Sequence, residues 1–202
     1  METLREKYAE NTRRTLLDTA LRLFTEREYS SVPAEELVRT AGLTRGALYH
    51  HFDGKLGLFE AVFEDLERQA TQRIRAAIDS VSDPRERADR AVDEFLDVCM
   101  EHAYRHIVLQ QGPIALGWQR WRELDQRHLG GLVLDIVNAA LDAGRIRPHP
   151  AELIARAFYG TLTELSLAIA EADSPDQART QAADLVRDLV DGLAIDAPSS
   201  ST

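Results

Sequence analysis

The sequence predicts an all-α fold of about nine helices. Apolar residues recur at three- and four-residue spacing along nearly the whole chain, the period of a helix with one buried face. The stretches between them are short and rich in Ser, Asp, Gly and Pro, which stop one helix and start the next. Neither strand-like alternation nor an internal repeat occurs in the sequence. With 202 residues, 44% of them hydrophobic and 29% charged, the chain fits one globular domain or two small ones with a core to bury.

Leu16, Leu17, Ala20, Leu21, Leu23 and Phe24 place the first helix over residues 11–28. "YSSVP" ends it. Pro33 then suits the first turn of a second helix, where its missing N–H is not needed, and Glu35 and Glu36 complement the helix dipole. This short helix, "AEELVRTA", stops at Gly42, a left-handed C-cap. Thr44 caps a third helix over "RGALYHHF". "DGK" interrupts, and a long helix runs from Lys55 to about Ile78 with Leu58, Phe59, Val62, Phe63, Leu66, Ala70, Ile74 and Ile78 on its apolar face. "SVSDPRE" is the next break, with Ser82 or Asp83 as cap and Pro84 in the first turn. The following helix reaches about Tyr104, with Ala88, Val92, Phe95, Cys99 and His102 on one stripe. "RHIVLQQ" is a short helix or the tail of that one. "GPIALG" breaks the pattern before "WQRWRELDQRHLGGLVLDIVNAALDAG", a long helix despite Gly130 and Gly131. "RIRPHP" is a linker stiffened by Pro148 and Pro150. Residues 151–172 form a strongly apolar helix, "DSPDQ" caps a last one over 177–193, and residues 196–202 read as a disordered tail.

Charge narrows the partners. A formal net charge of -10 argues against a general nucleic-acid coat, because phosphates repel it. The first 56 residues nevertheless balance nine Lys/Arg against nine Asp/Glu, so the acid surplus lies beyond them. Any nucleic-acid contact is expected in this first quarter. One cysteine, Cys99, forbids an intramolecular disulfide and fits a reducing interior. The polar N-terminus lacks the apolar core of a signal peptide, and no apolar run approaches the roughly 18 residues of a membrane span. A cytoplasmic protein is expected.

The second and third helices are joined by "AGLT", a four-residue turn with a glycine. That is a helix-turn-helix arrangement, over about residues 33–52, whose second helix lies in the major groove of DNA. Leu37, Val38, Ala41, Leu43 and Leu48 form the small core that fixes the two axes. Thr44 and Arg45 stand at the third helix's N-terminus, where free N–H groups and the dipole favour a phosphate. Arg45 also reaches a guanine edge, a contact worth about 1–3 kcal/mol of discrimination. Gly46 permits close approach to the DNA backbone. Tyr49 and His50 lie one turn on, and Lys55 pairs with a phosphate as a point charge. With Pro33, these are the expected DNA contacts.

"GLTRGALYHHFDGKLGLFEAV", with "RRTLLDTALRLFTEREYSSV" and "ELVRTAGLT" before it, resembles the TetR family of bacterial one-component transcriptional regulators over about residues 10–62. The resemblance implies that Thr44, Tyr49, His50 and Lys55 grip phosphates and that Arg45, Gly46 and Tyr49 sit closest to bases. It also implies that Phe24 and Phe52 pack the core of the domain. Two places depart from the family pattern, which has a capping Ser, Asp or Asn before the lysine and a Glu-Ala pair after it. Gly54 and Gly57 stand there instead. Gly57 should cost about 0.5–1 kcal/mol against Ala, leaving Asp53 to cap and the long helix with a soft start.

By the same resemblance, residues 1–56 form the DNA-binding domain and residues 57–195 a helical ligand-binding and dimerisation domain. Leu153, Ala157 and Leu165 on one of the last two helices, and Ala182, Leu185 and Leu189 on the other, make faces suited to a four-helix dimer interface. A helix-turn-helix dimer reads two half-sites about 34–36 Å apart. A mostly apolar ligand cavity with a few polar hooks is expected from Phe95, Cys99, His102, His106, Trp118, Trp121, His128, Phe158 and Tyr159, with Asp125 among the hooks. The plainer alternative makes the Trp pair core and leaves the His residues hydrogen-bonded or on the surface. His102 and His106 have metal-ligand spacing but lack a clear third ligand, so neither metal nor cofactor is expected. No phosphate loop, nucleophile elbow or zincin motif marks an enzyme. The expected protein is a homodimeric regulator, a repressor that leaves a palindromic or near-palindromic double-stranded operator when a small apolar or amphipathic molecule binds. Its rivals are an all-α metal-binding protein or enzyme using His102, His106 and His128, and a helical interaction protein with a vestigial helix-turn-helix.

Overall fold

The computed structural model describes residues 4–195, so the expected tail at 196–202 lies outside the described residues. Nine helices and one 3-10 turn (Tyr29–Ser31) make up the described residues: α1 (Leu4–Glu26), α2 (Ala34–Thr40), α3 (Arg45–Phe52), α4 (Gly54–Ile78), α5 (Pro84–Met100), α6 (residues 102–116), α7 (residues 118–142), α8 (Ala151–Glu171) and α9 (Pro175–Leu193). The β pairing among the described residues is one isolated antiparallel bridge, Ile146 with Ala194. The all-α expectation holds.

Several boundaries differ from the sequence reading. α1 starts well before residue 11, because Leu4, Arg5, Glu6, Lys7, Ala9 and Glu10 are good helix formers that need no buried face, and residues 6–11 are exposed. Pro33 occupies the N-cap of α2 rather than its first turn, and its carbonyl accepts from the N–H groups of Glu36 and Leu37. Asp83, not Ser82, caps α5, accepting from the N–H groups of Arg85 and Glu86. α5 stops at Met100 because Glu101 turns to extended backbone. That break detaches His102 from the α5 stripe and starts α6 there. "GPIALG" does not interrupt α6: a π-helical stretch, Tyr104–Gln111, runs into Gly112 and Pro113, and Gly117 with its positive φ ends the helix. A second π-helical stretch, Gln126–Gly130, carries α7 through its glycines.

The chain divides into two compact units. The first comprises the described residues up to Leu66 together with His102–Arg122, so it reaches past the expected boundary at 56 and takes in a distant segment. Its core joins Leu16, Phe24, Leu37, Leu48, Leu58 and Phe59 to Ile107 of α6. Phe24 meets Phe59 edge-on at 5.2 Å between centroids. The buried Gln111 ties α6 to the loop after α1: its side-chain oxygen accepts from the N–H of Tyr29 (3.2 Å), and its amide donates to Glu28 (2.9 Å). Trp121 is fully buried, donating its indole N–H to the Val108 carbonyl at 2.8 Å. Gly112 is required beside it, since a Cβ there would lie 2.7 Å from the Trp121 ring.

The second unit contains residues 67–101 and the described residues from Glu123 onward. α5, α8, α9 and the later part of α7 pack mutually there. Phe95, Val137, Ile154, Ala183 and Val186 are buried. Arg187 pairs with Asp93 and Arg179 with Asp97, linking α9 to α5 through half-exposed ion pairs that add little each. α8 is long and apolar enough by composition to cross a membrane, with a mean hydropathy of 1.2, which the sequence reading did not anticipate. Its buried residues, Ile154, Ala155, Tyr159, Thr163, Ser166, Ile169 and Ala170, recur at helical spacing and face the unit's interior.

Candidate functional site

The first site grows from the turn between α2 and α3. Gly42 takes a left-handed φ of 67°, its N–H bonds to the Arg39 carbonyl, and the Leu43 N–H bonds to the Val38 carbonyl. This double closure ends α2 and draws Leu43 onto the same core as Val38. Thr44 then caps α3, its hydroxyl accepting from the Ala47 N–H at 3.2 Å. Leu48 and Phe52 anchor the inner side of α3, while Thr44, Arg45, Gly46, Tyr49 and His50 are exposed.

Arg45 is held ready rather than loose. Its guanidinium pairs with Glu35 of α2 at 3.1 Å, donates to the Tyr49 hydroxyl at 3.4 Å and lies 5.5 Å over the Tyr49 ring. The Tyr49 contact, then Glu35, raises its pKa further above an already high value. Among the described residues little crowds Gly46, where an added Cβ would meet only the Thr44 hydroxyl at 3.7 Å. His50 packs edge-on to His51, whose pKa is lowered by burial first, then by His50 and Arg13. Pro33 is exposed at the start of α2.

Lys55 differs from the expectation. Its amine donates to the Tyr29 carbonyl at 2.9 Å and sits 4.0 Å over the Tyr29 ring, and burial lowers its pKa. It therefore pins the start of α4 to the loop after α1. The two departing glycines also acquire reasons. Asp53 does not cap α4 but forms the left-handed end of α3 at φ 52°, followed by Gly54 at φ 85°. At Gly57 a Cβ would lie 1.6 Å from the Phe52 carbonyl oxygen, so the backbone itself fills the place of a side chain.

A cavity of about 110 Å³ lies within the second unit. Of the residues expected to meet a ligand, Phe95, Phe158 and Tyr159 line this cavity, and Asp125 contributes a polar wall. Tyr159 donates its hydroxyl to Asp125, and both side chains are buried. The other expected ligand residues are placed elsewhere. Cys99 is buried outside the lining, and its thiol is pushed well above the usual range by burial, then by Glu67 and Asp125. Trp121 belongs to the core of the first unit, with Trp118 half-exposed against it at 5.0 Å. His102 is exposed and stacks parallel on His106, whose Nδ1 lies 3.3 Å from Gln110. His128 is half-buried and absent from the lining. Most of the wall is aliphatic, including Ile74, Val133, Ile146 and Val190. Their signal was helical spacing alone, and for Ile146 none, since the bridge to Ala194 draws it in. Among the described residues no group of three or more His, Cys, Asp or Glu side chains is placed to hold a metal ion.

A capped, exposed recognition helix on a three-helix frame defines a helix-turn-helix DNA-binding protein. Residues 16–62 match the model of bacterial regulatory proteins of the tetR family, and residues 85–193 match a tetracyclin repressor-like C-terminal domain. The crystal structure of a TetR-family transcriptional regulator from Pectobacterium atrosepticum is 31% identical, with a TM-score of 0.84, covering 94% of this chain and 97% of that one. The HTH-type transcriptional regulator AcrR of Shigella flexneri is 46% identical over 56 residues, which are 28% of this chain and 26% of AcrR. The Tn10 TetC protein of Escherichia coli is 22% identical over 160 residues, 78% of this chain and 79% of TetC. The chain belongs to the TetR family, and it is a ligand-responsive, DNA-binding transcriptional regulator.

Proposed function

We propose that this regulator is a cytoplasmic repressor that binds a palindromic or near-palindromic operator as a homodimer and leaves it when a small molecule enters the cavity of the second unit. The observation that carries the DNA half is the face of α3. Thr44 caps the helix, and Arg45, Gly46, Tyr49 and His50 stand exposed beside free N–H groups. Arg45 reads a base edge, Tyr49 and His50 hold phosphates, and Lys55 acts indirectly by fixing the start of α4. The region up to about residue 56 supplies the DNA contacts, and the later helices supply ligand binding and pairing. Leu153, Ala157, Leu185 and Leu189 are exposed on α8 and α9 and support a pairing face. Leu165 is half-buried, and Ala182, at 4% exposure, belongs to the interior of the chain rather than to that face.

Selection of bound duplexes from a random pool, followed by a salt titration, tests this reading. A symmetric site should emerge, and its affinity should fall steeply with salt. Arg45→Ala should cost about 1–3 kcal/mol and relax the sequence preference at one position of each half-site. Full affinity in both Arg45→Ala and Tyr49→Ala chains would overturn the assignment of α3.

A further inference from the structure

Two carboxylates stand in the first turn of α2, and they face different partners. Glu36 accepts from Arg27 at 2.7 Å, and its side chain is 24% exposed. Glu35 is 63% exposed and reaches across to α3, where it pairs with Arg45 at 3.1 Å. Glu36 already complements the α2 dipole, so the dipole alone does not call for a second acid. An exposed carboxylate beside a recognition helix repels phosphates, and an ion pair this open adds little to stability. Its consequence is for Arg45.

A guanidinium carries five N–H donors in one plane. In Arg45, Nη1 donates to Glu35, Nη2 donates to the Tyr49 hydroxyl at 3.4 Å, and the group lies over the Tyr49 ring. Among the described residues Arg45 makes no other hydrogen bond, which leaves three of the five N–H groups. A bidentate contact with a guanine edge takes two. The contacts with Glu35 and Tyr49 fix the plane of the guanidinium, and the carboxylate offsets its charge. Reading a base edge needs the plane, whereas gripping a phosphate of any sequence needs only the charge. Resting on the reading of α3 as the recognition helix, we propose that Glu35 is a positioning residue for operator specificity. It holds Arg45 for a base edge and withholds it from phosphates.

The test compares the affinities of the full chain for its selected operator and for a random duplex, each across a salt series, in Glu35→Ala and Glu35→Gln. In Glu35→Ala the ratio of operator to random affinity should fall at least about fivefold, because the pair acts once in each half of a dimer. For random DNA the slope of log affinity against log salt should steepen by roughly 0.9 per protomer in both variants, as the released Arg45 takes up a phosphate. Glu35→Gln keeps an acceptor without the charge, so it should lose less on the operator than Glu35→Ala. An unchanged ratio or an unchanged slope overturns the proposal, and a role confined to the α2 dipole would show that result together with a lower urea midpoint. Changes of the same size when Glu35→Ala is made in an Arg45→Ala chain also overturn it, since Glu35 would then repel DNA without acting through Arg45. Failure of the underlying reading looks different: Arg45→Ala alone would leave operator affinity intact, and both readings would fall.

Discussion

Gly57 shows a single residue at which two physical effects oppose each other. Helix propensity favours Ala over Gly by about 1 kcal/mol in a helix interior. Against this, a Cβ at 57 would lie 1.6 Å from the Phe52 carbonyl oxygen and 2.7 Å from its carbon. Those atoms are backbone, and they sit in the left-handed turn that joins α3 to α4, so they cannot swing aside. Sterics should win. Gly57→Ala is expected to destabilise the chain by about 1–3 kcal/mol, read as a lower urea midpoint. A higher midpoint would show that the start of α4 is free to shift. Cys99 gives a second prediction at this scale. Its thiol is fully buried and held protonated, so reaction of the native chain with iodoacetamide near neutral pH should proceed no faster than unfolding. Rapid labelling would instead point to a redox-sensing cysteine.

Among the elements, α5 depends most visibly on one cap. Asp83 accepts from two backbone N–H groups and from Arg145, and it stands before Pro84. Asp83→Ala should lower the melting temperature, whereas Asp83→Asn keeps most of the cap. The Glu86 N–H, then the Arg85 N–H and Arg145, hold the Asp83 carboxyl below the usual range against opposing desolvation. A depressed carboxyl contributes stability above its unfolded pKa and loses it as pH falls through the folded value. The difference between native and Asp83→Asn melting temperatures should therefore be constant at neutral pH and shrink only below about pH 4. The caps and breakers at Gly42, Thr44 and Pro84 made these helices legible in the sequence. The stop at Glu101 was not, because no Pro, Gly or cap residue marks it, and neither were the two π-helical stretches, because Gly112, Pro113, Gly130 and Gly131 in or beside them signal helix breaks while packing carries the helices through. The same distinction separates the two sites. The α3 face is local, so its residues could be read from spacing. The cavity wall is assembled from segments spread between Ile74 and Leu193, and sequence does not disclose which faces meet.

For the whole molecule, the exposed leucines carry the prediction. Leu153 is 63% exposed, and Leu185 and Leu189, one turn apart on α9, are 47% and 43% exposed. Covering such side chains is worth roughly 1.5–3 kcal/mol each at full burial, so a pairing face here is energetically ample. A Leu185→Asp, Leu189→Asp chain should sediment as a monomer, keep its helical circular dichroism and lose most operator affinity, since one half-site remains. If it still sediments as a dimer, the pairing face lies elsewhere. The division of the molecule has another consequence. The unit that carries the recognition helix is not one stretch of sequence: Ile107, Gln111 and Trp121 return to it from far along the chain. A chimera spliced after the recognition helix would give a foreign head to α6, with Gln111 facing whatever replaced Glu28 and Tyr29. A head grafted from a relative is therefore expected to keep its stability only when residues 102–122 come with it, which would tie operator specificity to the fit of α6.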